Sequence, residues 1–176
     1  YLNHAIRKVV VTGYAISPAL PTGLSFNTAT GEITGTPTAT SAATNYTITA
    51  FNAGGFSSTT LNLTVAAPSS NANLTALTIS SGTLSPTFAS GTTSYSASVS
   101  NATPTVTVTP TREQANATIE VRINGGSYAT VTSGNASDNL TVNVGSNTID
   151  VRVTAQDGTT TKTYTITVTR ISNDAT

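Results

Sequence analysis

Apolar residues along this chain recur at every second position, the spacing of strands with one buried and one wet face. Tyr46, Ile48 and Ala50 alternate, then Leu61, Leu63 and Val65. Tyr95, Ala97 and Val99 follow, then Val106 and Val108, ended by Pro110. Ala117, Ile119, Val121 and Ile123 form one long set, and Leu140, Val142 and Val144 predict a further strand. Ile149 and Val151, set against Tyr164, Ile166 and Val168, predict a final hairpin. Residues 6–12 break the pattern. There Val9, Val10 and Val11 are continuous and predict a first strand buried on both faces.

Turn residues set the expected registers. Asp157-Gly158 predicts a two-residue type I′ turn, which places Val151 opposite Tyr164 and Ile149 opposite Ile166. Gly125-Gly126 predicts another, with Ile123 opposite Tyr128, so that apolar faces meet. Asn52, Ala53, Gly54 and Gly55 mark a turn between the runs at 46–50 and 61–65. Between residues 17 and 38, prolines 18, 21 and 37 and glycines 23, 31 and 35 forbid a helix and predict very short strands. Leu20, Leu24, Phe26 and Ile33 are the expected core plugs there.

Residues 66–73 are small and polar around Pro68, which is linker composition. The expected organisation is therefore all-β, with two tandem β-sandwich domains at 1–66 and 73–170 and a linker at 67–72. Ser172, Asn173, Asp174 and Ala175 echo Ser70, Asn71, Ala72 and Asn73, so 171–176 reads as the start of a further linker or repeat. The chain opens on Tyr1 without an initiator methionine and reads as a segment of a longer array. Domain 1 is short beside the about 100 residues of a seven-stranded sandwich. It is expected to lack a first strand, to leave an edge or core face under-covered, and to be completed from outside itself.

Formal charge is +0 and only 8% of residues are charged, which removes the electrostatic footprint of a nucleic-acid binder. It also leaves no basic patch for anionic lipid. The absence of cysteine excludes disulfides, thiolate zinc sites and thiol catalysis. No apolar run approaches the about 20 residues of a membrane helix, so no membrane insertion is expected in this segment. Threonine, the commonest residue, is β-branched and suits a pleated, half-wet surface.

Three stretches carry a first resemblance: residues 14–27, with Leu20-Pro21-Thr22-Gly23-Leu24 and Phe26-Asn27; residues 30–38, Thr-Gly-Glu-Ile-Thr-Gly-Thr-Pro-Thr; and residues 46–55, opening Tyr-Thr-Ile-Thr-Ala. Together they resemble the immunoglobulin-like repeat of bacterial surface proteins. That resemblance implies a small extracellular β-sandwich whose motif residues are structural. A second set is Leu74-Thr75-Ala76-Leu77-Thr78-Ile79 with Gly82-Thr83-Leu84-Ser85-Pro86, then residues 106–111, then 153–170 around Asp157-Gly158-Thr159 and Tyr164-Thr165-Ile166-Thr167-Val168. It resembles the cadherin-like β-sandwich repeat of bacterial surface proteins. Calcium is not carried over, because the acidic residues are scattered and form no Asp-x-Asp loop.

Those acidic residues are Glu32, Glu113, Glu120, Asp138, Asp150, Asp157 and Asp174. A glycosidase needs two carboxylates flanking a cleft. Glu120 and Asp150 instead lie on the polar phase of strands, followed in phase by Arg122 and Arg152, and predict a wet cross-strand ion-pair face. His4, the single histidine, has no acidic neighbour and is expected to be solvated. Lys8 and Lys162 are the candidates for a lysine–asparagine isopeptide bond. That chemistry needs a buried lysine beside a carboxyl, and Lys162 at the mouth of a turn is expected to be exposed. The Asn-x-Ser/Thr sequons, such as Asn45, Asn62 and Asn101, match what composition alone supplies. The threonine ladders at 105–109 and 163–169 are read as wet sandwich faces.

No catalytic, cofactor-binding or metal-binding residue is assigned, and no enzyme activity or cofactor is expected. The expected function is a structural spacer in a large adhesin, stalk or filament, secreted to a bacterial surface. Its expected partners are neighbouring repeats or neighbouring copies in a filament. The alternative is a binding module for glycan or a partner protein, including one accessory to a secreted hydrolase. It ranks second because Trp is absent and Tyr and Phe fall mostly on core phases.

Overall fold

The structure, a computed structural model, describes residues 12–173, and these are all-β. The strand expected over residues 6–12, with Val9, Val10 and Val11, therefore lies outside the described residues but for Thr12. Two compact units divide the chain, Tyr1–Ala67 and Pro68–Thr176.

In the first unit β1 (Gly13–Ser17), β4 (Ser41–Asn52) and β5 (Gly55–Val65) form one antiparallel sheet in the order β1-β4-β5. β2 (Leu24–Phe26) and β3 (Ile33–Gly35) form a separate short hairpin. Alternation sets the inner face: Tyr46 pairs with Leu61, Ile48 with Ile16 and Thr59, and Ala50 with Tyr14 and Ser57. Tyr46 is buried, while Ile16, Ile48, Leu61, Leu63 and Val65 are half-buried. The glycines of the Gly-Leu and Gly-Thr-Pro motifs explain themselves here. Gly35 has φ +108° and a Cβ on it would strike the Gly23 carbonyl; Gly23 has φ +91° and a Cβ on it would strike the Thr36 carbonyl. Only glycine lets β2 and β3 approach so closely.

The second unit is a two-layered sandwich. One layer holds β11 (Ala129–Thr130), β10 (Thr118–Ile123), β13 (Gly145–Thr154), β14 (Thr161–Arg170) and β7 (Ser94–Val99), in that order. The other holds the pairs β6 (Leu74–Ile79) with β9 (Val108–Arg112) and β8 (Thr105–Val106) with β12 (Leu140–Thr141). Leu74, Leu77, Val106, Val108 and Val142 from one layer meet Ile119, Ile149, Val151, Tyr164, Ile166 and Val168 from the other, all buried. Burying a Val, Leu or Ile side chain is worth about 1.5–3 kcal/mol each.

The predicted final hairpin has the expected register, with Val151 opposite Tyr164 and Ile149 opposite Ile166. Its turn differs. Strand pairing stops at Thr154 and Thr161, Gly158 donates its N–H to the Ala155 carbonyl, and Gly158 alone takes positive φ, +71°. The turn is a wider loop with a left-handed glycine, because the Asp157 carboxylate accepts from the N–H groups of Thr159 and Thr160 and from the Thr160 hydroxyl.

Two other expectations are corrected. The I′ turn between β10 and β11 sits at Asn124 (φ 49°) and Gly125 (φ 73°), one residue before the expected Gly125-Gly126. Val121 then pairs with Ala129 rather than Ile123 with Tyr128, and Tyr128 is turned to the polar face. Asn-Gly supplies two residues tolerant of positive φ and outcompetes Gly-Gly, whose entropy cost is larger. The strand expected through Leu140, Val142 and Val144 ends at Thr141, and Val144 is 54% exposed. Buried Asn147 stops it: its side-chain oxygen accepts from the Asn143 N–H, and its amide donates to the carbonyls of Asn143 and Gly145.

Residues 69–72, most of the linker expected at 67–72, fold onto the second unit. Ser69 N–H donates to Gln156 Oε1 at 3.1 Å, Asp157 N–H donates to the Ser69 carbonyl at 3.1 Å, and Ala72 is buried.

Candidate functional site

Four charged residues of the second unit gather on the outer face of β10 and β13. Antiparallel pairing puts Glu120 opposite Arg152 and Arg122 opposite Asp150. Arg152 donates to Glu120 Oε2 through Nε at 3.1 Å and Nη2 at 2.8 Å, and Arg122 Nε donates to Asp150 Oδ2 at 2.8 Å. The Asp150 hydrogen bond holds the Arg122 guanidinium above its usual pKa, against the opposing effect of desolvation. Tyr128 lies over both arginines, its ring centroid 4.6 Å from Arg122 Cζ and 3.9 Å from Arg152 Cζ. Thr165 Oγ1 donates to Asp150 Oδ1, closing the cluster. Each carboxylate is thus committed to a guanidinium, the arrangement of a braced surface rather than of an acid–base pair.

The remaining acidic residues do not converge. Glu32 lies in the exposed turn before β3, and Glu113 and Asp138 are exposed. Asp157 has its pKa lowered from 3.8 to about 2, first by the Thr160 hydroxyl and then by the N–H groups of Thr160 and Thr159. Among the described residues no three His, Cys, Asp or Glu side chains stand close enough to hold a metal ion. His4, Lys8 and Asp174 lie outside the described residues.

Lys162 is not the exposed lysine expected at a turn. It is half-buried, and Nζ donates to Asn73 Oδ1 at 2.9 Å and to the Ser90 carbonyl at 2.7 Å. Its ammonium stands 5.2 Å from the Tyr164 ring centroid. Neither hydrogen-bond partner is a carboxyl, so the third group needed for an isopeptide bond is missing from the lysine's contacts. Buried Tyr164 completes the join: its hydroxyl accepts from the Leu74 N–H at 3.0 Å and donates to the Ser90 carbonyl at 3.0 Å. Lys162 lies in phase with Tyr164 and Ile166, opposite buried Val153, so its place at the turn mouth was the misleading signal, and only the fold brings residue 73 beside it.

Aromatic residues also depart from the core phase. Phe51 pairs with Phe56 across the β4–β5 hairpin end, and they are 37% and 78% exposed. Thr49 and Ser58 hydroxyls bond at 2.9 Å on the same face, followed by Asn62 Nδ2 donating to Asn45 Oδ1 at 2.6 Å. Phe51 lies out of phase with Tyr46, Ile48 and Ala50, a signal legible in the sequence.

These units are small all-β modules built for packing and bracing, with polar faces committed to internal bonds. The chain belongs to the cadherin-like β-sandwich family: residues 74–171 match the model for the "Cadherin-like beta sandwich domain". Residues 8–68 match the model described as "Putative Ig domain". Domains of these kinds are surface or structural modules, typically non-catalytic. A protein of Evansella cellulosilytica named "Putative membrane protein" is 35% identical over 106 residues, which is 60% of this chain and 15% of that protein. The chain thus matches only a small part of that longer relative. Among the described residues no helix is long and apolar enough to cross a membrane.

Proposed function

We propose that this segment is a spacer in a longer bacterial surface protein, an adhesin stalk or filament shaft, that holds other parts of that protein outward. One observation carries the reading: in the second unit, and in the described part of the first, the chain starts at one end and leaves at the other. In the second unit residues 69 and 73 sit beside residues 156 and 162, at the start of β14. Ile171, past its end, donates to the Val99 carbonyl, and Arg170 grips the Asn101 carbonyl through Nε at 2.9 Å. The 10 residues of β14 separate these ends by about 30 Å at about 3.3 Å per residue. In the first unit Gly13 pairs with Phe51 near the hairpin end, while Val65 pairs with Ser41 at the far end. A domain threaded this way holds its two chain ends apart.

The partners that fit are neighbouring repeats and neighbouring copies. Among the described residues of the first unit, β1 and β5 are the outer strands of their sheet and only Tyr46 is a buried apolar residue. An open edge and a half-covered face accept a further strand. Small-angle scattering on the 176-residue chain tests the spacer. A compact globule of this size has a radius of gyration of about 16 Å. A value above about 20 Å is expected, and a value near 16 Å overturns the proposal.

The exposed Phe51–Phe56 pair favours a second reading, a glycan-binding face on the first unit. A bare aromatic ring stacks on the apolar face of a sugar, and the flanking Thr, Ser and Asn groups are neutral donors and acceptors. A glycan array with the parent and Phe56→Ala tests it. Binding lost in the variant supports it, and no binding by the parent retires it.

A further inference from the structure

The chain enters the second unit through a three-way join that ties its first strand to its last. Leu74 begins β6 and Asn73 immediately precedes it, Lys162 and Tyr164 belong to β14, and Ser90 lies in the connection that precedes β7. Lys162 Nζ bridges Asn73 Oδ1 and the Ser90 carbonyl, and the Tyr164 hydroxyl bridges the Leu74 N–H and the same carbonyl. A pull from the N-terminal side reaches this join once Ser69 has left Gln156 and Asp157. Tension at residue 73 draws β6 along its own axis, while tension at Ile171 draws β14 the opposite way.

Both strands are then loaded in shear. β6 is held by its antiparallel ladder to β9 from Leu74–Arg112 to Ile79–Val108. β14 is held on both sides, by ten pairs with β13 and by the parallel run with β7 from Thr165–Ser94 to Arg170–Val99. Ladder hydrogen bonds lie across the strands, so a pull along the axis strains them together rather than one at a time. Because β14 is flanked on both sides and β6 has a single ladder, β6 is the strand that yields. It cannot slide without first releasing Asn73 and Leu74 from Lys162 and Tyr164.

We infer that the Lys162–Tyr164–Ser90 join is a force-bearing clasp that governs when the second unit unfolds under tension. The inference rests on the spacer reading and adds what a spacer under load requires. The test holds the full 176-residue chain by its two ends at constant force and times the longer of the two extension steps, which belongs to the second unit. Hydrogen bonds to a charged group are among the stronger ones. Lys162→Met, which keeps the stem and removes the charge, is expected to unfold about tenfold faster at the same force, and Tyr164→Phe likewise. Val121→Ala, in the core of β10 away from both pulled strands, serves as the control. It should lower the melting temperature at least as much and accelerate forced unfolding less than about threefold.

Lys162→Met and Tyr164→Phe unfolding at the parent's rate would overturn the clasp. So would a Val121→Ala chain that accelerates as much as they do. An intact mass short by one ammonia would also overturn it, since Lys162 and Asn73 would then be covalently joined. A compact radius of gyration with an accelerated Lys162→Met chain would discard the spacer and leave the clasp standing.

Discussion

Tyr46 stands as the buried apolar residue of the first unit's described part, whereas the second unit closes two layers over residues from Leu74 to Val168. Both halves carry the same alternating pattern. The difference lies in what covers the inner face. Among the described residues the first unit has a three-stranded sheet and one short hairpin, and the second a five-stranded sheet over two strand pairs. Alternation makes a face available for burial, and a second layer is what buries it.

The largest break in this comparison comes from core truncation. Removing a large core side chain costs about 2–5 kcal/mol, and a domain near 60 residues is marginal before any loss. Tyr46→Ala is expected to abolish the first unit's calorimetric transition. Ile166→Ala should lower the second unit's transition by about 10 °C or more while leaving it cooperative. If both variants produce equal shifts, the two cores do not differ as described.

A smaller effect sharpens the turn. Gly158 has φ +71° and open space around an added Cβ, so Gly158→Val acts through backbone strain alone, about 1–3 kcal/mol. Its melting shift should fall on the second unit only. A parental melting curve would mean that the loop relaxes without the left-handed residue.

Smaller still is the ion-pair face. Exposed pairs contribute about 0–1 kcal/mol, with bidentate geometry at the upper end. A double-mutant cycle of Glu120→Gln and Arg152→Met should return a coupling below about 1 kcal/mol that shrinks in high salt. A coupling that ignores salt would make this face part of the core.

The least effect is that of Asp157, an exposed group. Its carboxyl has a folded pKa of about 2 against an ordinary 3.8, so its contribution is present above pH 4 and is lost as pH falls toward 2. Asp157→Asn should flatten that part of the second unit's stability profile and leave the neutral range nearly unchanged. A parental slope between pH 4 and 2 would assign the acid loss to other carboxylates.

Where a period of two and a turn residue act within about twenty residues, sequence alone determined the outcome. The β13–β14 register, the inward phase of Ile119, Val121, Val151 and Tyr164, and the outward phase of Glu120, Arg122, Asp150 and Arg152 were all legible in this way. Asn124-Gly125 is legible there too, and a turn read instead at Gly125-Gly126 shifts the register and puts Tyr128 on the wrong face. Alternation states which side of a strand is apolar and says nothing about which strand lies beside it. Tertiary structure alone therefore decided the parallel pairing of β7 with β14, the seating of Ser69 against Gln156 and Asp157, and the meeting of Lys162 with Asn73 across 89 residues. Those contacts depend on layers closing over one another, and loop closure across such separations leaves no local trace in residue type.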